Sequence, residues 1–297
     1  MTTTRDTLVE EVIGKLSSYT LRQDRSTHLT ASLSASALSM NLNSVENIGK
    51  GLMEIGDELV WVDSTDRISN TVTIAPYGRG YKGTTATAHD ALEKVTVSPT
   101  FPRYQVIRAI NQTLGAVYPK IFATASTTFS YTASRLTYNL PADLDDVLSI
   151  SWQTVGPTQE WVPIRRYRVD KTAATGSFAG GKSVTIYDLV TSGRTVQVFY
   201  TKKPTLMTSG SSTFASTGLP DSTEDVIMYG AAYRLISFID PARLTFSTPE
   251  ANENDPNRPL GTGTSTSRYL FSLYQQRLEE EAGKLRDEYP VRVHFTT

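Results

Sequence analysis

The sequence predicts an α+β protein with a helical-bundle core, two β-rich insertions and an extended C-terminal tail. Three observations lead there. Four stretches carry apolar residues at helical spacing. Two long blocks between them hold short alternating runs rich in Val, Ile, Thr and aromatic residues. After Pro290 the last residues, VRVHFTT, alternate between apolar and polar.

The first helix is expected near residues 5–19, where Val9, Val12, Ile13 and Leu16 recur on one face. Thr7 and Glu10 have the spacing of a capping box. The second helix is expected near 102–118. Pro102 suits a first helical turn, where its missing N–H is no loss. Ile107, Ile110, Leu114, Val117 and Ile121 form its stripe, and Pro119 ends it. The third helix is placed near 222–239, capped by Asp221 or Ser222, with Pro241 past its end. Its run VIMYGAAYRLISFI is apolar almost all the way round, so it needs neighbours on several sides. The fourth is expected near 265–288, with Leu270, Tyr274, Leu278 and Leu285 on one face and Glu280 paired with Lys284.

The first β block covers about 27–98, with LVWV, TVTI and KVTV as strands. The second covers about 127–207, with FSYTAS, RLTYNL, VLSISWQ, SVTIYDLV and TVQVFYTK. Segments 205–219 and 247–265 read as loops. The resulting division is 1–26 (bundle helix), 27–98 (first β insertion), 99–124 (bundle helix), 125–207 (second β insertion), 208–290 (helical hairpin) and 291–297 (docking tail).

The chain has 297 residues, 39% hydrophobic and 20% charged, with a formal net charge of −1. This is an ordinary core-forming composition, long enough for about two domains. Roughly a quarter of the residues are Ser or Thr, which favours strands and loops over long helices. No apolar run approaches the roughly 18 residues of a membrane span. The N-terminus lacks the basic start and apolar centre of a signal peptide. With no cysteine, disulfides, thiolate metal sites and a Cys nucleophile are excluded. Near-zero net charge argues against a nucleic-acid binder that works by counterion release.

Candidate chemistry is sparse. Gly176–Ser183 matches G-x-x-x-x-G-K-[ST], but a phosphate loop needs a buried strand before it and a helix after it. Here SVTIYDLV alternates like a strand, so the motif reads as a hairpin turn. Gly78, Gly80 and Gly83 read as a loop that needs positive φ. The acidic stretches 143–146 and 250–255 lack regular ligand spacing. No G-x-S-x-G elbow is present. Arg165-Arg166-Tyr167-Arg168, near Trp161, reads as a solvated strand face or a subunit contact. No catalytic residue, metal ligand or cofactor is assigned.

One long stretch carries a family likeness. IGDELVWVDSTDRISNTVTIAPYGRGYKGTTATAHDALEKVTV resembles a segment common in tailed-bacteriophage virion proteins, through Gly56-Asp57-Glu58, Arg79-Gly80-Tyr81, Gly83-Thr84, Ala88-His89 and Val95. The following FPRYQVIRAINQTLGAVYPKIF is similar to the amphipathic helix after that segment. DVIMYGAAYRLISFIDPARL, a polar loop and SRYLFSLYQQRLEEEAGKLRDEYPVRVHF resemble the helical hairpin and tail of phage head–tail adaptors. The second β block matches no motif of that family.

The resemblance implies a structural virion protein of the neck. It would form a ring, typically twelve-fold, beneath the portal, extend the DNA channel and dock the tail or the next neck protein. DNA would pass through the lumen without sequence-specific binding, and no membrane, cofactor or catalytic residue is involved. Within that reading, Val291, Arg292, Val293, His294 and Phe295 are the portal or partner interface, because an unpaired alternating tail can add to a partner's sheet. Tyr229, Gly230, Tyr233 and Arg234 on the apolar helix are the inter-subunit packing residues. The Ser/Thr-rich β blocks support a second reading, another phage tail, collar or baseplate component.

Overall fold

The computed structural model describes residues 3–19, 23–155, 159–244 and 262–290. Its elements are α1 (Arg5–Ser17), β1 (Arg25–His28), β2 (Ser39–Asn41), β3 (Gly51–Ile55), β4 (Glu58–Asp66), β5 (Thr71–Ile74), β6 (Lys94–Val97), α2 (Arg103–Val117), β7 (Ala123–Ser130), β8 (Thr137–Leu140), β9 (Asp146–Gln153), β10 (Trp161–Pro163), β11 (Tyr167–Asp170), β12 (Lys182–Ile186), β13 (Thr195–Lys202), α3 (Glu224–Leu244) and α4 (Thr262–Glu288). They divide between two compact units. The first holds Arg5–Gln112 and Met228–Ser272; the second holds Met1–Thr4, Thr113–Ile227 and Leu273–Thr297.

The first unit is built on a six-stranded antiparallel sheet in the order β1-β6-β3-β4-β5-β2. The expected strands LVWV, TVTI and KVTV are β4, β5 and β6. Alternation puts Val60 and Val62 of β4, Val72 and Ile74 of β5, and Val95 of β6 into one core with Leu29, Met40, Leu42, Met53 and Ile55. The β4–β5 turn is made by Asp66, whose carboxylate accepts the Ile68 N–H at 2.9 Å and the Ser69 hydroxyl at 2.7 Å. After β5 the chain folds back so closely that a Cβ on Gly78 would lie 2.6 Å from the Trp61 carbonyl oxygen. Glycine is therefore required there by space.

The second unit has a four-stranded sheet, β10-β9-β13-β7, and a three-stranded sheet, β11-β12-β8, both antiparallel. Tyr138, Leu140, Val184 and Ile186 of the smaller sheet share one core with Ile150, Val196, Val198 and Tyr200 of the larger. Each methylene buried in this way contributes about 0.8 kcal/mol, and this burial is the main favourable term for a sheet pair. The β13–β9 register shifts between Phe199 and Tyr200, leaving Leu148 of β9 as an extra residue, whereas β13 and β7 pair without interruption.

Most of the expected stripe residues are buried: Val9, Val12 and Leu16 of α1; Ile110, Leu114 and Val117 of α2, with Ile121 beyond it; Leu270, Tyr274, Leu278 and Leu285 of α4. Ile13 and Ile107 are only half-buried, and Leu8 and Val106 are buried in addition. Three boundaries differ from expectation. α1 begins at Arg5, so Thr7 lies inside the helix and does not cap it. Pro102 stands one residue ahead of α2. α3 continues through Pro241 to Leu244, forgoing the one backbone N–H that proline lacks. Residues 247–261 of the expected 247–265 loop and the tail 291–297 lie outside the described residues.

The expected helical-bundle core is not what forms. The protein is β-rich, with thirteen strands in three antiparallel sheets and four α-helices among the described residues. An apolar helical stripe shows that a face is buried, not what buries it. Short strands bury alternate residues, so their share of the core is easily underread when each run is four or five residues long.

Candidate functional site

The motif residues of the first β block converge on one carboxylate. Glu58 opens β4 and is 1% exposed. Arg79 donates to it twice, Nε to Oε1 at 2.7 Å and Nη2 to Oε2 at 3.0 Å. The Gly80 and Thr87 N–H groups each donate at 3.0 Å, and His89 Nε2 lies 2.9 Å from Oε2. The other ring nitrogen, Nδ1, faces Glu93 Oε2 at 2.8 Å. Arg79 spends its remaining N–H groups on the carbonyls of Ser34, Ala37 and Thr87. Burial disfavours the Glu58 charge, but Arg79, the two N–H groups and His89 outweigh it and hold the carboxyl at about 2.

Every strong acceptor and donor in this cluster is consumed internally. Its effect is to fasten the 79–93 loop to the sheet, and this explains the spacing of Glu58, Arg79-Gly80 and His89. Thr84 belongs to the same device, since its hydroxyl accepts the Leu59 N–H at 3.0 Å.

A second polar cluster borders a cleft of about 850 Å³ in the first unit. Arg103, at the start of α2, reaches Asp6 at 3.1 Å, Asp57 at 3.2 Å and Glu10. Arg5 also pairs with Asp57. These contacts tie α1 and the β3–β4 turn to α2. Glu54 lines the cleft at 5% exposure and accepts the Arg103 backbone N–H. Burial pushes its carboxyl up to about 7, against the pull of the Arg103 N–H and charge. Of the cleft's hydroxyls, Thr100 is held on Asp24, its Oγ1 donating at 2.7 Å. The arrangement is a brace between elements.

The three most exposed large apolar side chains among the described residues lie between strands. Ile68 is 98% exposed, Tyr77 97% and Leu189 100%. Tyr77 also adopts a left-handed backbone, φ 61°, which a non-glycine residue rarely does.

The residues singled out in the sequence fare unequally. Val291, Arg292, Val293, His294 and Phe295 lie outside the described residues. Gly230 is buried, and Tyr229, Tyr233 and Arg234 are half-buried on α3. Lys15 sits 4.4 Å over the Tyr229 ring. Tyr233 meets Phe271 edge-on at 5.2 Å, and the Arg234 Nε is buried without a hydrogen-bond partner. Part of what those side chains offer is thus taken up within the protomer.

Gly176–Ser183 leads from the β11–β12 connection into β12, a strand. Lys182 Nζ donates to the Ala142 carbonyl at 2.9 Å and also to that of Leu144. The hairpin reading therefore holds. In the basic run, the Arg165 and Arg166 N–H groups are bound by Asp188 at 2.7 and 3.0 Å.

Sequence reasoning missed the Glu58 cluster. The signal was present in the GDE, RGY and AH motifs, but nothing local tells that a glutamate at a strand start will be enclosed.

Comparison with known families decides the identity. The family model for the SU10 adaptor protein matches residues 85–293. The chain belongs to the SU10 adaptor protein family. It is a bacteriophage adaptor, a structural protein. The match takes in the second β block, which no sequence motif had explained, and both units contribute residues to it. No curated protein matches the adaptor's sequence. Among its described residues no helix is long and apolar enough to cross a membrane.

Proposed function

We propose that this adaptor forms a closed ring in the phage neck, twelve-fold, below the portal. The ring continues the DNA channel and presents a docking surface to the tail or the next neck protein. Its role is structural and not catalytic. The family match over residues 85–293 carries this reading. Two features support it. The polar clusters at Glu58 and Arg103 are closed on themselves and serve rigidity. The net charge of −1 suits a conduit through which DNA slides.

The residues expected between subunits are Tyr229, Gly230, Tyr233 and Arg234. A neighbouring subunit that supplies an acceptor would satisfy the buried Arg234 Nε.

Averaged images of the unique vertex of purified virions test the proposal. A twelve-fold ring between capsid and tail that accommodates this chain is the expected result. Its absence from the neck, or a threefold or sixfold assembly elsewhere on the particle, overturns it.

A further inference from the structure

β7 is the outer strand of its sheet among the described residues, and it pairs along its full length with β13. Tyr131, the residue after β7, donates its N–H to the Arg194 carbonyl at 2.8 Å. By alternation, Ser126, Thr128 and Ser130 turn their N–H and C=O groups away from β13. All three residues are exposed, and these groups take no partner among the described residues. Such edges invite strand addition, and proteins blunt them by shortness, proline, charge or a bulge. The other sheet edges among the described residues are blunted. β10 has three residues and ends at Pro163; β1 carries Arg25 and His28; β2 has three residues; β11 carries Arg168 and Asp170; β8 has four residues. β7 has eight residues, ATASTTFS, with no charge, no proline and an unbroken register.

A groove of about 430 Å³ runs beside Thr127–Ser130. Phe129 and Tyr138 line it, with their rings stacked at 4.4 Å. Among the described residues that line it, Arg135 is the one charge. Its guanidinium lies 5.6 Å over the Tyr138 ring, and its Nε donates to the Thr137 carbonyl at 2.8 Å. These contacts hold the side chain at the groove, and its terminal nitrogens meet no carboxylate among the described residues.

Edge and groove select the same kind of occupant. A row of alternating donors and acceptors is matched by another extended backbone. A phosphate pairs with Arg135 but leaves the outward N–H and C=O groups of the strand unmatched. The side chains of an added strand alternate. One side meets Phe129, Tyr138 and Arg135, and the other continues the exposed row of Ser126, Thr128 and Ser130. Charge complementarity then calls for apolar residues and one carboxylate on the first side. A second copy of β7 does not supply that carboxylate, because ATASTTFS has none.

We propose that the outer edge of β7 docks an extended segment of a partner protein as an added strand, with an Asp or Glu of that segment paired to Arg135. Backbone hydrogen bonds along the edge supply the affinity, and the Arg135 pair sets register and selects the partner. Edge and groove belong to one compact unit, which holds Thr113–Ile227. The inference concerns one face of one protomer and does not rest on the ring.

Two synthetic peptides test this by calorimetry on the purified chain: acetyl-TVTDTVT-amide and its neutral twin acetyl-TVTNTVT-amide. The acidic peptide is expected to bind about tenfold tighter, the gain of one charge-assisted pair. Arg135→Gln is expected to abolish that difference. Thr128→Pro removes one outward N–H without touching a β13 bond, and is expected to weaken both peptides by about tenfold or more, with circular dichroism checking its fold. Hydrogen exchange on the unaltered protein gives a reading that needs no variant. The acidic peptide is expected to slow the Ser126, Thr128 and Ser130 amides by about tenfold or more. Equal affinity for the twins, no binding of either at about 1 mM, a preference that survives Arg135→Gln, or protection that falls elsewhere overturns the proposal. So does slow exchange of those three amides in the free protein, which marks an edge already taken. The occupant is then a second copy where the rate depends on concentration, and the chain itself where it does not.

Discussion

At the residue scale, two buried glutamates behave in opposite ways, and the difference lies in how many donors each meets. Glu58 meets Arg79, His89 and two backbone N–H groups; Glu54 meets the Arg103 N–H. Removing the charge in Glu58→Gln leaves Arg79 buried without its counter-ion. We expect a loss of about 3–5 kcal/mol in urea denaturation. The signs of the pH dependence follow from the shifts. Glu58 is lowered from 4.5 to about 2, so its contribution is complete above the ordinary carboxylate range and is lost as pH falls towards 2. Glu54 is raised from 4.5 to about 7, so its contribution is complete below 4.5 and is lost as pH rises through 7. Glu54→Gln is therefore expected to flatten stability between pH 5 and 8. It should stabilise the chain at pH 8 by on the order of 3 kcal/mol. Melting curves across that range check this, and an unchanged slope refutes the assignment.

At the element scale, the hairpin between β11 and β12 shows how a motif can belong to packing. Gly180 donates its N–H to Asn139 Oδ1 at 3.0 Å, and a Cβ there would stand 1.9 Å from the Leu140 carbonyl oxygen. Gly180→Ala must push the loop off β8, at an expected cost of about 1–3 kcal/mol by chemical denaturation. Gly176→Ala in the same loop meets nothing within 4 Å and is expected to stay within about 0.5 kcal/mol of the parent. Equal effects at both positions would show that close approach to β8 is not what makes the glycine necessary. In α2, Leu114 is 0% exposed, and Leu114→Ala is expected to cost about 2–5 kcal/mol.

At the scale of the whole molecule, charge and assembly are linked. A chain of net charge −1 has little to gain from releasing counterions, so duplex DNA should bind no tighter than about 10⁻⁶ M at physiological salt. Fluorescence anisotropy measures this, and nanomolar binding would contradict a passive conduit. Chains ending at Pro290 are expected to fold but to join heads to tails at least tenfold less often, scored by infectious titre against circular dichroism of the purified protein. Normal titres would remove the docking role from residues 291–297.

The sequence by itself determined where the helices lie, most of their buried faces, three strands of the first sheet and, in the second β block, β8, β9, β12 and β13, because period and burial are local properties of the chain. It also carried the family resemblance, through motifs whose order survives without any knowledge of contacts. The tertiary structure alone decided that sheets, not a bundle, dominate the architecture, since a stripe such as that of α2 does not name its partner. It alone brought Glu58, Arg79 and His89 together, because long-range hydrogen bonds between residues 21 and 31 positions apart leave no periodic trace. It alone placed β7 at the edge of its sheet among the described residues: a strand's place depends on which others pair beside it, and ATASTTFS reads the same at an edge as in the middle.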